Sequence, residues 1–352
     1  MKTIIAKVDE ENPQLNNDVI IKAAEIIKNG GLVAFPTETV YGLGGNALDS
    51  QAANKIYQAK GRPSDNPLIA HISSLEQLKG LVKSIPPKAQ SLIDAFWPGP
   101  LTLIFEKTDN VPMETTGGLN TVAVRYPENK VAKAFITACG VPVAAPSANL
   151  SGKPSPTRAS HVAFDMEGRI DMIIDGGSCE FGLESTIVDV TGDIPCLLRP
   201  GAITLGMLKE TVGEVTVDKA VVSMLKEGET PKAPGMKYTH YSPKADITIV
   251  RGALPEVERY IITMADKGKA EGHKVGIIAT KQTENGYRGH EVLIIGDRTK
   301  PQTIAANLFK MLRKCDFLGF DKVYVEYFDE DELGMAIMNR LKKAAGYDII
   351  EV

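Results

Sequence analysis

The four cysteines, Cys139, Cys179, Cys196 and Cys315, form no CxxC pair and share no Cys/His spacing of the zinc-ligand kind. A structural zinc site is thereby excluded, and scattered single thiols fit a reducing compartment better than a disulfide framework. No apolar run approaches the roughly 18 residues of a membrane span. The start, Met1-Lys2-Thr3-Ile4-Ile5-Ala6, turns acidic within a few residues and lacks the basic head and long apolar core of a signal peptide. A cytoplasmic protein with no membrane partner is expected. No GxGxxG marks a dinucleotide site, and the P-loop pattern GxxxxGK(S/T) fails at its near match, where Ser147 replaces the first glycine and Pro154 follows Lys153. No Ser-His-Asp or Cys-His signature points to a covalent nucleophile. There is no internal repeat and no low-complexity segment. An excess of basic charge is also missing: 40 Lys and Arg against 44 Asp and Glu give a net charge of -4. Any nucleotide or RNA must therefore be held by a local group of cations.

What is present is a chain of 352 residues, 43% hydrophobic and 24% charged, long enough for a large core and too long for one typical domain. Helical spacing of apolar residues runs from Asp18 to Lys28 and is stopped by Asn29-Gly30-Gly31 before the strand-like Leu32 to Pro36. Further strands are expected at 68–72, 101–105, 121–124, 142–145, 172–174, 186–190 and 197–198, with helices between several of them. Short and helical connections together predict an α/β domain built on an open, twisted mixed sheet with flanking helices. The stretch Glu227 to Lys244, EGETPKAPGMKYTHYSPK, has no apolar period and reads as a tether, although Tyr238, His240 and Tyr241 are unusual in a passive spacer. Beyond it, strands (247–250, 275–279, 292–295, 322–325) alternate with helices (255–265, 303–312, about 333–345), which predicts a smaller Rossmann-like parallel domain. The expected layout is thus a catalytic domain at 1–215, a linker at 216–245 and a Rossmann-like domain at 246–352.

Several segments carry groups suited to an anionic ligand. In Phe35-Pro36-Thr37-Glu38-Thr39-Val40-Tyr41-Gly42-Leu43-Gly44-Gly45, hydroxyls and free backbone N–H groups follow a buried strand, where ligands of open α/β sheets bind, though an ordinary glycine-rich turn has the same composition. In Lys60-Gly61-Arg62 two cations flank one glycine, and Asn66 and His71 follow. Such a pair can converge on phosphate or carboxylate, and is equally at home on a solvated surface. Ser147, Asn149 and Ser155 cluster after the strand ending near Ala145, as hydrogen-bond donors for a ligand or as a helix N-cap group. Ser185 in GLESTI and Arg199 in LLRPG each stand beside a strand, and Thr121 and Arg125 bracket another.

In this order, PTETVYGL, KxR with NPL and His, PSAN, ESTI and LRPG resemble the YrdC family of threonylcarbamoyl-AMP synthases, over residues 15–210. The linker APGMKYTHY and the late GMAIMNRLKKAAG resemble its long, two-domain form. The resemblance implies an enzyme that joins L-threonine, bicarbonate or carbon dioxide, and ATP into threonylcarbamoyl-AMP, releasing pyrophosphate. A separate transferase then passes the product to adenosine in tRNA. It implies Lys60 and Arg62 as catalytic cations. L-threonine would be held by Thr39, Arg62, His71, Arg125, the backbone at Ala145, and Ser185. ATP would be held by Lys60, Asn66, Thr121, Ser147, Asn149, Ser155 and Arg199, to which the aromatic residues of the tether add Tyr238 as a further candidate. Magnesium is expected on the phosphates from ATP chemistry, while no dedicated carboxylate cage for it stands in the sequence. His71 is expected to orient substrate rather than act as a base. Four cations, Lys60, Arg62, Arg125 and Arg199, match the charges that ATP, bicarbonate and a carboxylate bring to one place. The segment from Ala233 to Tyr241 is expected to fold over the nucleotide, with Tyr238 or Tyr241 touching it. The alternative reading is a double-stranded RNA or tRNA binder without adenylate-forming activity, with RNA accepted by shape on a basic face. The acidic net charge and the lack of RNP-like aromatics weigh against it. A related carbamoyl-AMP-forming enzyme would call for zinc-type cysteine clusters, which are missing.

Overall fold

The computed structural model describes residues 2–222, 233–234 and 241–352. Tyr238 and His240 lie outside the described residues. The chain forms two compact units, one of residues 1–151 and 155–237, the other of residues 152–154 and 238–352.

The first unit is organised on a mixed sheet. In chain order its strands are β1 (Ile4–Lys7), β2 (Val33–Phe35), β3 (Gly42–Asn46), β4 (Ile69–His71), β5 (Leu101–Glu106) and β6 (Thr121–Arg125). They continue with β7 (Val143–Ala144), β8 (Met172–Asp175), β9 (Thr186–Asp189), β10 (Cys196–Arg199) and β11 (Thr216–Val217). Their spatial order is β1-β8-β2-β3-β7-β4-β6-β5-β9-β10-β11. β4 and β6 run parallel, while β5 and β7 flank this pair antiparallel.

The helices follow from their patterns. Over Asn17–Lys28 the buried residues are Ile20, Ala23, Ala24 and Ile27, the spacing of one helical face. That face meets Val131, Phe135 and Ile136 of the helix Lys130–Cys139 and the residues Val33, Phe35, Met172 and Ile174 of the sheet. The expected strands and helices of this unit are present. The three- and four-residue stretches β1, β2 and β8 hold together because each buries its neighbour's backbone groups in a ladder. Three strands and a short helix of this unit were not expected from the pattern. One is β1, a four-residue strand held by its parallel ladder to β8. β3 is a strand of the sequence GLGGN where a loop had the better composition, and β11 with the helix Lys219–Val222 carries regular structure into the stretch assigned to the linker from residue 216. β11 is held by its parallel ladder to β10 rather than by apolar patterning, as both of its residues are exposed.

The second unit has five strands, β12 (Asp246–Arg251), β13 (Val275–Thr280), β14 (Glu291–Gly296), β15 (Lys322–Glu326) and β16 (Ile349–Glu351). All its ladders are parallel, in the order β14-β13-β15-β12-β16. The helices Leu254–Ala270, Pro301–Leu318 and Leu333–Ala344 connect them, which is the Rossmann-like alternation expected. β13 is buried at every position, as a central parallel strand covered on both faces must be. Tyr241 belongs to this unit. It is buried, with its ring 5.0 Å from that of Phe309 between centroids.

Candidate active site

The helix Ser50–Lys60 begins on Asp49, whose carboxylate accepts from the Gln51 N–H, and ends on Gly61 at φ +59°. This left-handed residue stops the helix at Lys60. Lys60 is 3% exposed, and its ammonium donates to the carbonyls of Ser147, at 2.5 Å, and Asn149, at 2.7 Å. The Ser151 N–H donates in return to the Lys60 carbonyl. The KGR and PSAN segments, 87 residues apart, are thus one structure. Leu43 N–H donates to the Pro146 carbonyl and Gly42 bridges Ser147, which adds the hairpin between β2 and β3 to it.

A second group is set by strand register. His71 of β4 pairs with Arg125 of β6, Arg125 with Thr102 of β5, and Thr102 with Ile187 of β9. Residues paired across strands point to one face, about 4.8 Å apart per strand. His71, Arg125 and Thr102 therefore form a row. Arg125 Nη1 donates to Thr39 Oγ1 at 2.7 Å, and Thr39 Oγ1 lies 2.9 Å from that of Thr37. Arg125 Nη2 stands 2.7 Å from Glu38 Oε1, an ion pair with both side chains about 95% buried. At the other end of the row Thr102 Oγ1 and Ser185 Oγ are 2.7 Å apart, and Arg199 donates to Ser185 through Nη2 at 3.2 Å and, through Nε, to the Ser185 carbonyl at 3.0 Å. Arg199 Nη1 also donates to the Pro234 carbonyl at 3.2 Å, while Ala233 is buried among Ile104, Ile187 and Leu198. This start of the segment expected to cover the nucleotide is therefore anchored in the first unit. Ser155, next in the set, donates to Glu184 Oε1 at 2.5 Å, beside Ser185 in sequence.

The structure thus joins Thr39, His71, Arg125 and Ser185 on one face of the sheet, with Arg199 bonded to Ser185. It joins Lys60, Ser147 and Asn149 in a second group linked to the same hairpin. Ala145 closes β7 with its N–H on the Ile69 carbonyl. Arg62 is half-buried and turned to its own loop, donating to the carbonyls of Asn66 and Pro67 at 3.1 and 3.3 Å. Asn66 is 1% exposed, and its Oδ1 has no hydrogen-bond partner among the described residues. Thr121 opens the strand that Arg125 closes. Four residues of rise place it about 13 Å away on the same face, where it lines a cavity of about 480 Å³ with Lys83, Glu106, Lys107, Asp109, Asn120 and Thr191. No other expected site residue lines that cavity.

The electrostatics separate these groups by role. Burial, and then the Arg125 charge, lowers the His71 pKa to about 3 against the pull of the Ile69 and Val143 carbonyls. His71 is neutral at physiological pH and a very poor proton acceptor, so orientation is the role its environment permits. Burial also raises the Cys179 thiol pKa, so it stays protonated. Glu38, Thr102 and Glu184 were not singled out from the sequence. Glu38 and Glu184 sit inside the PTET and GLEST segments, and Thr102 is the one polar residue within the apolar run Leu101 to Phe105.

Comparison with known proteins decides between the enzyme and the RNA binder. A family model described as "Telomere recombination", Sua5_yciO_yrdC, matches residues 25–201, and one described as the C-terminal domain of threonylcarbamoyl-AMP synthase matches residues 203–346. The chain belongs to the Sua5–YrdC family. It is similar along nearly its whole length to two-domain members. The threonylcarbamoyl-AMP synthase of Pyrococcus abyssi is 51% identical over 330 residues, covering 94% of this chain and 95% of that protein. That of Bacillus subtilis is 46% identical over 352 residues, covering 99% of this chain and 100% of that protein. The crystal structure of P. abyssi Sua5 complexed with L-threonine matches with a TM-score of 0.93 and 50% identity, over 99% of this chain and 100% of that one. Relatives named for adenylate synthesis support the enzyme and not the RNA binder.

Proposed function

We propose that the row Thr39, His71, Arg125 and Ser185 holds L-threonine and that the group around Lys60, Ser147 and Asn149 holds the nucleotide beside it. As a member of the Sua5–YrdC family the chain makes threonylcarbamoyl-AMP from L-threonine, bicarbonate or carbon dioxide, and ATP, with release of pyrophosphate. The observation that carries the residue assignment is the bonded run from Thr39 through Arg125 and Thr102 to Ser185 and Arg199. It places a buried cation at each end of a patch lined by hydroxyls, the donor set that a carboxylate next to a phosphate requires.

In this reading Arg125 takes the α-carboxylate, and Thr39 and Ser185 orient it. Neutral His71 accepts or donates a single hydrogen bond without adding charge. Lys60 and Arg199 face the phosphates, Arg62 joins them by turning from the carbonyls of its own loop, Ser155 and Asn66 give neutral hydrogen bonds to the nucleotide, and Thr121 reaches only its far end. Lys60 spends two N–H groups on the PSAN backbone, so its work is to hold that loop and to add positive charge near the α-phosphate. The carboxylate formed on the threonine nitrogen attacks that phosphorus in line, and pyrophosphate departs. Catalysis is then positioning plus electrostatic stabilisation of developing charge. Among the described residues no group of three or more His, Cys, Asp or Glu is placed to hold a metal. Magnesium is expected to arrive on the phosphates of ATP.

A tRNA-modifying transferase is the consumer of the product in this reading, with direct tRNA contact by this chain a further expectation. The cytoplasm is the compartment where both would meet. No helix among the described residues is long and apolar enough to cross a membrane.

The test is pyrophosphate release from ATP, measured with threonine and bicarbonate supplied together and with each omitted in turn. Release is expected only with both. Release that is unchanged when threonine is left out overturns the substrate assignment.

A further inference from the structure

Glu38 stands in the centre of the threonine group and no step so far uses it. Its side chain is about 95% buried, so it holds a carboxylate where charge is costly unless paired. One oxygen, Oε1, is 2.7 Å from Arg125 Nη2. The pair is an ionic contact only: Oε1, Oε2 and Arg125 Nη2 are all buried and make no hydrogen bond among the described residues. A buried oxygen left open in a native fold calls for a donor. The Glu38 backbone is fixed as well, because its carbonyl accepts from the Phe181 N–H and both neighbouring threonines are tied to each other. The carboxylate therefore cannot relax by swinging the loop away.

The neighbouring groups leave little choice of donor. Arg125 donates from Nε to the Gly99 carbonyl and from Nη1 to Thr39 Oγ1, while Nη2 stands within ion-pair distance of Glu38 without a hydrogen bond. Nη1 keeps one N–H and Nη2 both of its N–H groups for a ligand carboxylate. An α-amino acid is a zwitterion whose two charges lie on adjacent atoms. Laid along an Arg–carboxylate pair, it puts its carboxylate on the guanidinium and its ammonium on the carboxylate. His71 and Cys179 are the other titratable groups facing this pair, and both are neutral.

Resting on the reading of this row as the threonine site, we propose that Glu38 is the receptor for the substrate's ammonium group. Oε1 stays beside Arg125 while Oε2 takes an ammonium N–H, which holds the amino nitrogen next to the carboxylate on the guanidinium. In the reaction with carbon dioxide the nitrogen's electron pair forms the C–N bond, one C=O pair moves onto oxygen, and the two protons that the nitrogen gives up pass to solvent.

Calorimetric binding of L-threonine and of 2,3-dihydroxybutanoate, in which a hydroxyl replaces the ammonium, tests the proposal on the full chain. The wild type is expected to prefer threonine by about 10- to 100-fold, since a charged hydrogen bond is lost with the ammonium. Glu38→Gln keeps the shape and an oxygen for Arg125 but no charge, and is expected to remove that preference while binding the hydroxy acid as well as the wild type does. Equal losses for both ligands in Glu38→Gln mean that Glu38 acts only through Arg125 and overturn the proposal. A wild type that binds the two acids within about threefold overturns it without any variant, which covers the case in which Glu38→Gln does not fold. A wild type that releases pyrophosphate without threonine instead sinks the underlying site assignment, a different result from either of these.

Discussion

His71 packs edge-on against Phe35, with ring centroids 5.9 Å apart and planes at 89°, and has one ring nitrogen 3.0 Å from the Ile69 carbonyl. The sequence places this histidine at the end of an apolar run, while its orienting role is what the family resemblance implies. The size of its pKa shift follows from neither, because the shift comes from burial and from Arg125, which sits 54 positions along the chain and reaches it only through strand register. The sign is that of a base kept neutral. Below pH 6.5 the unfolded chain binds a proton that the folded chain refuses until about pH 3. Stability is therefore unaffected above that window and falls on entering it, by about 1.4 kcal/mol per pH unit. Between pH 6.5 and 5 the loss due to His71 is about 2 kcal/mol. His71→Gln is expected to show a shallower decline of the urea midpoint over that range than the wild type, whatever its absolute stability. Parallel declines would mean that His71 is protonated in the fold. Glu38 and Glu184 escaped notice for the opposite reason: an acidic side chain in a glycine- and threonine-rich turn reads as solvated until the fold closes over it.

At the scale of elements, the strands that alternate or run continuously apolar were legible, and the glycine strand was not. β3 has the sequence GLGGN, whose composition favours a turn, because glycine weakens a strand and gives no side chain to pack. Its reason lies in its neighbours. A Cβ on Gly44 would stand 2.8 Å from Val143 Cγ1, 3.1 Å from Phe35 Cε1 and 3.1 Å from the Val33 carbonyl. Glycine is what lets β7 and the Phe35 ring close on β3 from both sides. Val143 pairs with His71 and Phe35 abuts it, so this close approach also fixes the histidine. Gly44→Ala is expected to destabilise the fold by about 1–3 kcal/mol through overpacking. It should also weaken threonine binding, as both atoms it displaces support His71. Urea unfolding followed by calorimetry checks both effects, and a variant that is destabilised yet binds threonine normally would show that Phe35 and Val143 yield without moving the site.

For the whole molecule, two separate apolar cores mean that a buried polar network in one unit can be broken without touching the cores of the other. The parallel alternation after residue 246 made the second unit legible as an element pattern, yet nothing in that pattern announced its buried carboxylate. Glu326, 0% exposed at the end of β15, lies 2.8 Å from Arg298 Nη2 and accepts from Tyr287 OH at 3.1 Å and Thr280 Oγ1 at 3.2 Å. It ties the ends of β13 and β15 and the segments after β13 and β14 together, work that a local sequence window cannot display because its partners come from three other stretches of chain. Glu326→Gln keeps the shape and leaves Arg298 without its counter-charge, at a cost of about 2–3 kcal/mol. For a unit of this size that lowers the melting temperature by roughly 10 °C. The sole tryptophan, Trp97, is in the first unit, bonded to the Leu101 carbonyl, so its fluorescence reports that unit while circular dichroism reports both. In Glu326→Gln the dichroism transition is expected to begin well below the fluorescence transition, which keeps its wild-type midpoint. If the two signals shift together by the same amount, the units unfold as one and the network stabilises the whole chain rather than the domain that contains it.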